Sequence, residues 1–401
     1  MLTDLSFMAV ALAHLVVDIL NSQRGLLLAV WSVPLGLTNA AIGLVSMLYS
    51  FAASLSQPVF GVMADRAGPR RLAVGGIVWM SACFGLALVV QGYLALVLLI
   101  LSALGSAAFH PAGAMESSEI GKLHFHGEVM TSASLFFMFG QAGYSIGPAI
   151  GGVLIGEWGP AGLLLLVPIA LSSGLFAANY FRVATPVAHV DGRPMLQFNI
   201  GLRWAAFVAF VLVVALRSWS QTNLVTFLPK YYSDAGFSAA AYGLIAALFM
   251  GGSALGGVGG GWMGDRLGGR IVTVWSLVLG AVPLALYPQL GLTPWAYLLA
   301  PLAGALTGFS HTILVVQAQS MMPGSMGAAS GLILGFMFAS GAVGTLISGI
   351  QADRSGWDAM FLTTAAITLA AGLLALAIPR DLGVLPAPAV DEVQAAIQHP
   401  A

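Results

Sequence analysis

Again and again this chain runs for some twenty residues with hardly an ionisable side chain. About 20 apolar residues is the length an α-helix needs to cross the roughly 30 Å hydrocarbon core of a bilayer. Such runs fall at 6–33, 40–62, 72–91, 94–116, 129–156 and 161–183, and, after a polar interval, at 204–230, 239–262, 271–291, 296–320, 327–351 and 357–378. Gly and Pro recur inside them, which membrane helices tolerate, and they lack the alternating segments of a β-barrel. The expected fold is an all-α membrane protein of twelve transmembrane helices in two pseudo-symmetric six-helix bundles.

Composition closes off the soluble alternatives. Only 7% of residues are charged and 59% are hydrophobic, against roughly 25% charged in ordinary soluble domains. The net charge is −1 with no basic block, so nucleic acid is not an expected partner. The single cysteine, Cys83, excludes an internal disulfide and a multi-cysteine metal site; neither a metal nor another cofactor is expected. There is no Gly-rich phosphate loop, no His/Glu metalloprotease helix and no nucleophile–base order, which disfavours an ATP-driven pump or an enzyme.

The spans divide the chain into an N-terminal bundle (1–183), a linker (184–203), a C-terminal bundle (204–380) and a tail (381–401). Phe7-Met8-Ala9-Val10 follows no basic region, so the first run reads as a retained span and not a cleaved signal. Arg66, Arg70, Arg71, Lys122, Arg182, Arg193, Arg203, Arg266, Arg270 and Arg380 all fall on one side of this topology. The positive-inside rule makes that side cytoplasmic, together with both termini and the linker.

The two halves repeat. Gly61-Val62-Met63-Ala64-Asp65-Arg66-Ala67-Gly68-Pro69-Arg70 returns as Gly261-Trp262-Met263-Gly264-Asp265-Arg266-Leu267-Gly268-Gly269-Arg270, 200 positions later in the equivalent loop. Phe137-Met138-Phe139 returns as Phe336-Met337-Phe338, and Gly105 with Phe109 as Gly304 with Phe309. Internal repeats flanking a midplane site are the build of many secondary transporters.

The doubled Gly-x-x-x-Asp-Arg-x-Gly-x-Arg loop resembles the signature of the major facilitator superfamily. In such a loop the glycines turn the chain, and Asp65, Arg66, Arg70 and their partners Asp265, Arg266 and Arg270 are expected to latch one conformational state. On span five, Gly143-x-x-x-Gly147-Pro148-x-x-Gly151-Gly152 is similar, in part, to the antiporter motif of drug-exporting members. Close helix packing accounts for the same small residues, and Pro148 predicts a bend.

Three further segments, His14-Leu15-Val16-Val17-Asp18, Ala108-Phe109-His110-Pro111 and Val316-Gln317-Ala318-Gln319 before the Met322–Gly324 turn, together resemble the fosmidomycin-resistance family of bacterial exporters. That resemblance implies proton-driven efflux of small toxic compounds from the bacterial inner membrane, phosphonate antibiotics among them. It leaves the substrate of this chain open.

Ionisable residues inside spans are costly in lipid, and so are candidates for function. Asp18 lies mid-helix on span one, with His14 one turn earlier on the same face; the pair is the expected proton-coupling site. Arg217, with Gln221 at helical spacing, is the expected anion clamp, because guanidinium keeps its charge and grips oxyanions in a fork. His110, beside a proline that frees the Ala107 carbonyl, is a candidate for substrate or proton contact. Arg24, His311, Gln141, Tyr144 and Gln317 complete the expected substrate-binding set. For each of these a structural role competes: a neutral hydrogen-bonded Asp18, a core histidine, an arginine held in an ion pair. The expectation is a monomeric, proton-coupled exporter working by alternating access, with a small molecule, protons and membrane lipid as its partners. The competing readings are an importer or uniporter of a metabolite and a non-transporting membrane sensor or scaffold.

Overall fold

The computed structural model describes the backbone of residues 1–125, 129–181, 204–321 and 326–380, and the side chains of these except 65, 129–130 and 326–331. The linker, the tail and the Met322–Gly324 turn lie outside the described residues, as does His126.

The elements are α1 Leu5–Ser32, α2 Asn39–Ala67, α3 Pro69–Val89, α4 Tyr93–His124, α5 Val129–Trp158, a 3₁₀ segment Pro160–Leu165 leading into α6 Leu166–Ala178, then α7 Trp204–Asp234, α8 Ala239–Leu267, α9 Gly269–Leu290, α10 Ala296–Met321 and α11 Met326–Leu374. No strand occurs among the described residues. Within α11, Gly356 (φ 80, ψ 173) interrupts the helix, so this element holds two of the expected crossings. Ten stretches are long and apolar enough to span a membrane, the 46-residue Leu332–Ala377 among them. With α11 counted as two and the glycine-diluted α5 added, the helices supply the twelve expected crossings.

Several helices outrun their apolar runs. α2 continues through Arg66 and α4 through Lys122, because backbone hydrogen bonding persists after the side chains turn polar. Glu116, expected at the edge of span four, is consequently a mid-helix residue and only 1% exposed.

The sequence repeat is also a repeat of backbone geometry. Gly68 (φ 89, ψ 144) ends α2 and Gly268 (φ 88, ψ 131) ends α8, each donating its N–H to the carbonyl four residues back, Ala64 or Gly264, at 2.9 Å. Such positive φ values suit glycine alone among common residues. At the opposite ends, Gly36 (φ 61) and Gly236 (φ 82) follow α1 and α7, and the side chains of Thr38 and Ser238 cap α2 and α8. Two hundred positions separate the members of each of these pairs.

The halves meet at the N-terminal ends of α2 and α8, away from the Asp-Arg loops. A Cβ on Gly43 of α2 would sit 2.8 Å from the Thr345 carbonyl of α11, and one on Gly349 would strike the Asn39 carbonyl. Across the other seam, Gly152 of α5 lies against Ala239 and Gly243 of α8. Asp353 of α11 also reaches over this boundary: its two carboxylate oxygens accept from the N–H groups of Asn39 and Ala40, both at 2.8 Å. Thr38 serves the next free N–H, that of Ala41, so the end of α2 is capped partly by its own half and partly by the other.

Candidate functional site

α1 and α5 set the geometry of the N-terminal site. A glycine stripe on α5 faces α1: Gly143 meets the Leu15 carbonyl, Gly147 meets Ser22 and Ile19, and Gly151 meets the Gln23 side chain. Gln23 in turn donates to the Gly147 carbonyl at 2.9 Å. Small residues let the two helix backbones approach this closely. The antiporter-like motif therefore forms the α1 contact face through Gly143, Gly147 and Gly151, and through Gly152 it forms the seam with the other half. Gly140, one turn earlier on that face, leaves no room for a Cβ, which would lie 2.5 Å from His14 and 2.7 Å from Asp18.

Into the space beside Gly140 converge His14 and Asp18 of α1 and His110 of α4. His14 Nε2 is 3.3 Å from Asp18 Oδ2, and His110 Nε2 is 3.5 Å from Asp18 Oδ1. Spans one and four thus face each other, as proton passage between His110 and Asp18 requires. His14 is stacked on Phe136, with ring centroids 4.0 Å apart. His110 is the wetter member, its side chain 22% accessible.

Hydrogen bonding fixes how these rings are protonated. His14 Nδ1 lies 2.7 Å from the Phe136 carbonyl, and His110 Nδ1 lies 2.7 Å from the Ser106 carbonyl. A carbonyl only accepts, so each Nδ1 carries the hydrogen of the neutral ring, and each Nε2 then presents a lone pair to the carboxyl group. Lone pairs facing a carboxylate repel, so the cluster is satisfied only when it holds at least one further proton. The carbonyl that His110 bonds is that of Ser106, four residues back.

Two residues that the motif reading passed over complete the N-terminal cluster. Asn21 donates to Asp18 Oδ1 at 2.7 Å and to Ser106 Oγ at 2.8 Å, and accepts from the Tyr49 hydroxyl at 2.6 Å. Asn21 is three positions beyond Asp18 on the same helical face, a spacing visible in the sequence; Tyr49, on α2, carries no such signal. Arg24 is 5% exposed and lies over the Tyr49 ring, 4.9 Å from its centroid, with Nη1 donating to Ser50 Oγ at 3.1 Å.

The C-terminal cluster is built on α7 and α10. Arg217, 4% exposed, donates from Nε to the Thr307 carbonyl at 3.2 Å and from Nη1 to His311 Nδ1 at 3.2 Å. Guanidinium has no acceptor, so His311 Nδ1 must carry a lone pair and its hydrogen sits on Nε2. Gln221 ties three helices together, donating to Ser253 of α8 at 3.0 Å and accepting from Thr307 Oγ1 of α10 at 2.9 Å. At the seam between the halves lies a small, mainly apolar pocket, lined by Ser22, Tyr144 and Pro148 from one half and Leu224, Phe249 and Met250 from the other.

Other expected site residues lie elsewhere. Gln141 is exposed on α5, off the glycine stripe. Gln317 is buried near the far end of α10, its amide beside Gly269 and more than a turn beyond His311. Tyr144 belongs to the seam pocket. In the repeated loops, Gly61 lies against Pro111 and Gly261 against Thr312, while Arg270 donates to the Ile378 carbonyl at 3.3 Å. Those contacts stay within each half. Arg266 stacks on Trp262 at 3.8 Å from the ring centroid, and Arg66 and Arg70 are exposed. The Asp65 side chain lies outside the described residues.

A helical protein of this topology, with polar clusters buried on facing halves, belongs to the class of membrane transporters and not of enzymes. The chain is a member of the Major Facilitator Superfamily, whose family model matches residues 4–211 and 210–397. It is 28% identical to the fosmidomycin resistance protein of Escherichia coli K12, over 93% of this chain and 92% of that protein. It is 24% identical to the multidrug efflux pump Tap of Mycolicibacterium fortuitum, over 84% and 87% of the respective chains. Among solved structures, a bacterial homologue of the lysosomal transporter Spinster, inward-facing and occupied, superposes with a TM-score of 0.77 at 14% identity, covering 92% of this chain and 96% of that one. The nucleoside transporter NupG superposes with a TM-score of 0.73 at 16% identity, covering 94% and 99%.

Proposed function

We propose that this protein is a proton-coupled exporter of the bacterial inner membrane that extrudes a small toxic compound, anionic or amphipathic, by alternating access. The observation that carries the proton role is the meeting of Asp18 with two imidazoles whose Nδ1 hydrogens are both committed to backbone carbonyls. Such a cluster takes up and gives up protons as it is exposed to one side of the membrane and then the other. Similarity to a fosmidomycin resistance protein and to a multidrug efflux pump supports the outward direction.

Substrate contact falls to Arg217 and Arg24, two buried cations, with His110, His311, Gln221 and Tyr144 as further polar contacts. A phosphonate suits these buried guanidinium groups, which bind oxyanions in a fork. In this reading both termini are cytoplasmic, residues 1–183 and 204–380 rock as two bundles, the 184–203 segment links them, and the protein acts as a monomer. The seam held by Asp353 then closes the outer side. Asp65, Arg66 and Arg70, with Asp265, Arg266 and Arg270, would latch the opposite state.

The test is transport of fosmidomycin by the purified protein in liposomes under an imposed pH gradient. Gradient-driven movement that survives in Asp18→Asn unchanged overturns the proton assignment, and uptake in the direction of proton entry overturns export.

A further inference from the structure

The carboxylate of the proton site and the buried guanidinium of Arg24 do not touch, yet one unbroken chain of contacts joins them. Asn21 spends both amide hydrogens, one on Asp18 Oδ1 at 2.7 Å and one on Ser106 Oγ at 2.8 Å, and its oxygen accepts the Tyr49 hydroxyl at 2.6 Å. The Tyr49 ring then lies beneath Arg24. Each sense of donation is forced: an ionised carboxylate only accepts, so the amide nitrogen must face it, so the amide oxygen must face Tyr49, so the phenol must donate. Asn21 and Tyr49 are 6% and 4% exposed, which keeps water from replacing either partner.

Arg24 is the end of this chain that is still able to bind. Its Nε is buried without a hydrogen-bond partner, while Nη1 is held only by Ser50. A buried guanidinium N–H with no acceptor is costly, and an oxyanion would satisfy it.

Electrostatics alone would couple the two sites in the opposite sense. An anion beside Arg24 would by Coulomb attraction favour extra protons on the neighbouring cluster, which promotes movement of proton and anion together. Exchange in opposite directions needs a conformational link that outweighs this attraction.

We propose that Asn21 is a positioning residue for coupling: through Tyr49 it ties the protonation state of the Asp18 cluster to the placement of Arg24 for an anionic substrate. The bond from Asn21 to Asp18 is charge-assisted when the carboxylate is ionised and becomes an ordinary one when it is protonated. That change in strength is transmitted along a path with no slack. The groups facing Asp18 are His14 and Asn21 on its own helix, His110 on α4 and Gly140 on α5, with Tyr49 on α2 reached through Asn21. Tyr144 on α5 and Arg24 on α1 complete the charged and titratable surroundings.

This inference rests on the proton-coupled reading above. Its test compares wild type with Asn21→Leu, which keeps the volume, and Tyr49→Phe, which keeps the ring under Arg24. Two readouts are taken in liposomes: fosmidomycin accumulation driven by a pH gradient, and fosmidomycin counterflow with no gradient. Loss of a coupling of typical size lowers gradient-driven accumulation by roughly tenfold, clearly more than it lowers counterflow, which feels only the altered placement of Arg24. The double variant should be no worse than either single one, because both break the same chain. A readout without substrate is the shift in spin-label distance between the two bundles from about pH 5 to about pH 8, spanning imidazole titration; it should vanish in both variants. Equal losses of accumulation and counterflow, or a pH-dependent distance change like that of wild type, would show Asn21 to be structural only. A wild type whose flux and distances both ignore pH sinks the proton-coupled reading, and this inference with it.

Discussion

Asp18 and Arg217 stand at equivalent places in the two halves. One is on α1 and the other on α7, each is set against a histidine, and those histidines, His110 and His311, are on the equivalent helices α4 and α10. Yet the charges are opposite, and under the proposed function that difference divides the labour. A carboxylate flanked by two imidazoles is a group whose charge can change, whereas a guanidinium is a charge that stays. Histidine tautomers follow suit: His110 presents Nε2 to Asp18, while His311 must offer Nδ1 as an acceptor to Arg217. One scaffold occurs twice, and in the proposed function its side chains make one copy the titrating site and the other the grip.

The sharpest way to break this division is at its charged centres. Asp18→Asn is expected to lower gradient-driven flux by about a hundredfold, near the upper end of coupling energies measured between sites, with counterflow retained. Should counterflow disappear as well, the carboxylate belongs to substrate binding and the division fails. Arg217→Lys keeps the charge but loses the fork and the Nε bond to Thr307. It should raise the KM for fosmidomycin roughly tenfold with little change in maximal rate, and a change in pH dependence instead would place Arg217 in the proton pathway.

Glycine substitutions give a smaller and more local comparison. An added Cβ at Gly140 meets His14 and Asp18, whereas one at Gly341 meets Thr222 and the Ser218 carbonyl. Gly140→Ala should therefore cut gradient-driven flux about fivefold through the displaced proton site. Gly341→Ala should cost thermal stability by about 1–3 kcal/mol of overpacking and leave the pH dependence intact. Equal pH profiles for the two variants would show that position 140 is mere packing. Least of all, Gly68→Ala and Gly268→Ala should each destabilise by about 1 kcal/mol, since both place a Cβ at strongly positive φ. Unequal losses in unfolding measurements would reveal that the two loops carry different loads.

Much of the architecture is legible in the residues, because bilayer thickness and the cost of charge in lipid leave few options. The Asp-Arg-x-Gly loops revealed the repeat, and the turns at Gly36 and Gly236 carry it too, each at positive φ and followed at the same spacing by Ala40-Ala41-x-Gly43-Leu44 and Ala240-Ala241-x-Gly243-Leu244. Gly105 and Gly304 illustrate the limit: they align in sequence, yet Gly105 packs on Gly76 of α3 and Gly304 on Phe249 and Ser253 of α8. Periodicity says that a face is small, and not which helix will fill it. At the site, Asp18 and His14 were readable as one helical face, and Asn21 falls on that face too. His110, Tyr49 and Arg24 come together only through the placement of α2 and α4 against α1, and Gln141 and Gln317 fall away for the same reason. Polarity within a span identifies candidates, and tertiary contact selects among them.

Asp353 leaves one of the two seams unlike the other. The end of α2 borrows two of its terminal hydrogen bonds from a residue 314 positions away, whereas α8, at the mirrored place, is capped from its own Ser238. Parting the halves on that side would uncover a lone carboxylate and two amide hydrogens where water can reach all three, so the clasp should come undone at the small cost of an exposed cap, about 0.3–1 kcal/mol. The end of α2 keeps its own Thr38 cap as that happens, so among the contacts that hold this seam the Asp353 clasp is one that solvent can imitate.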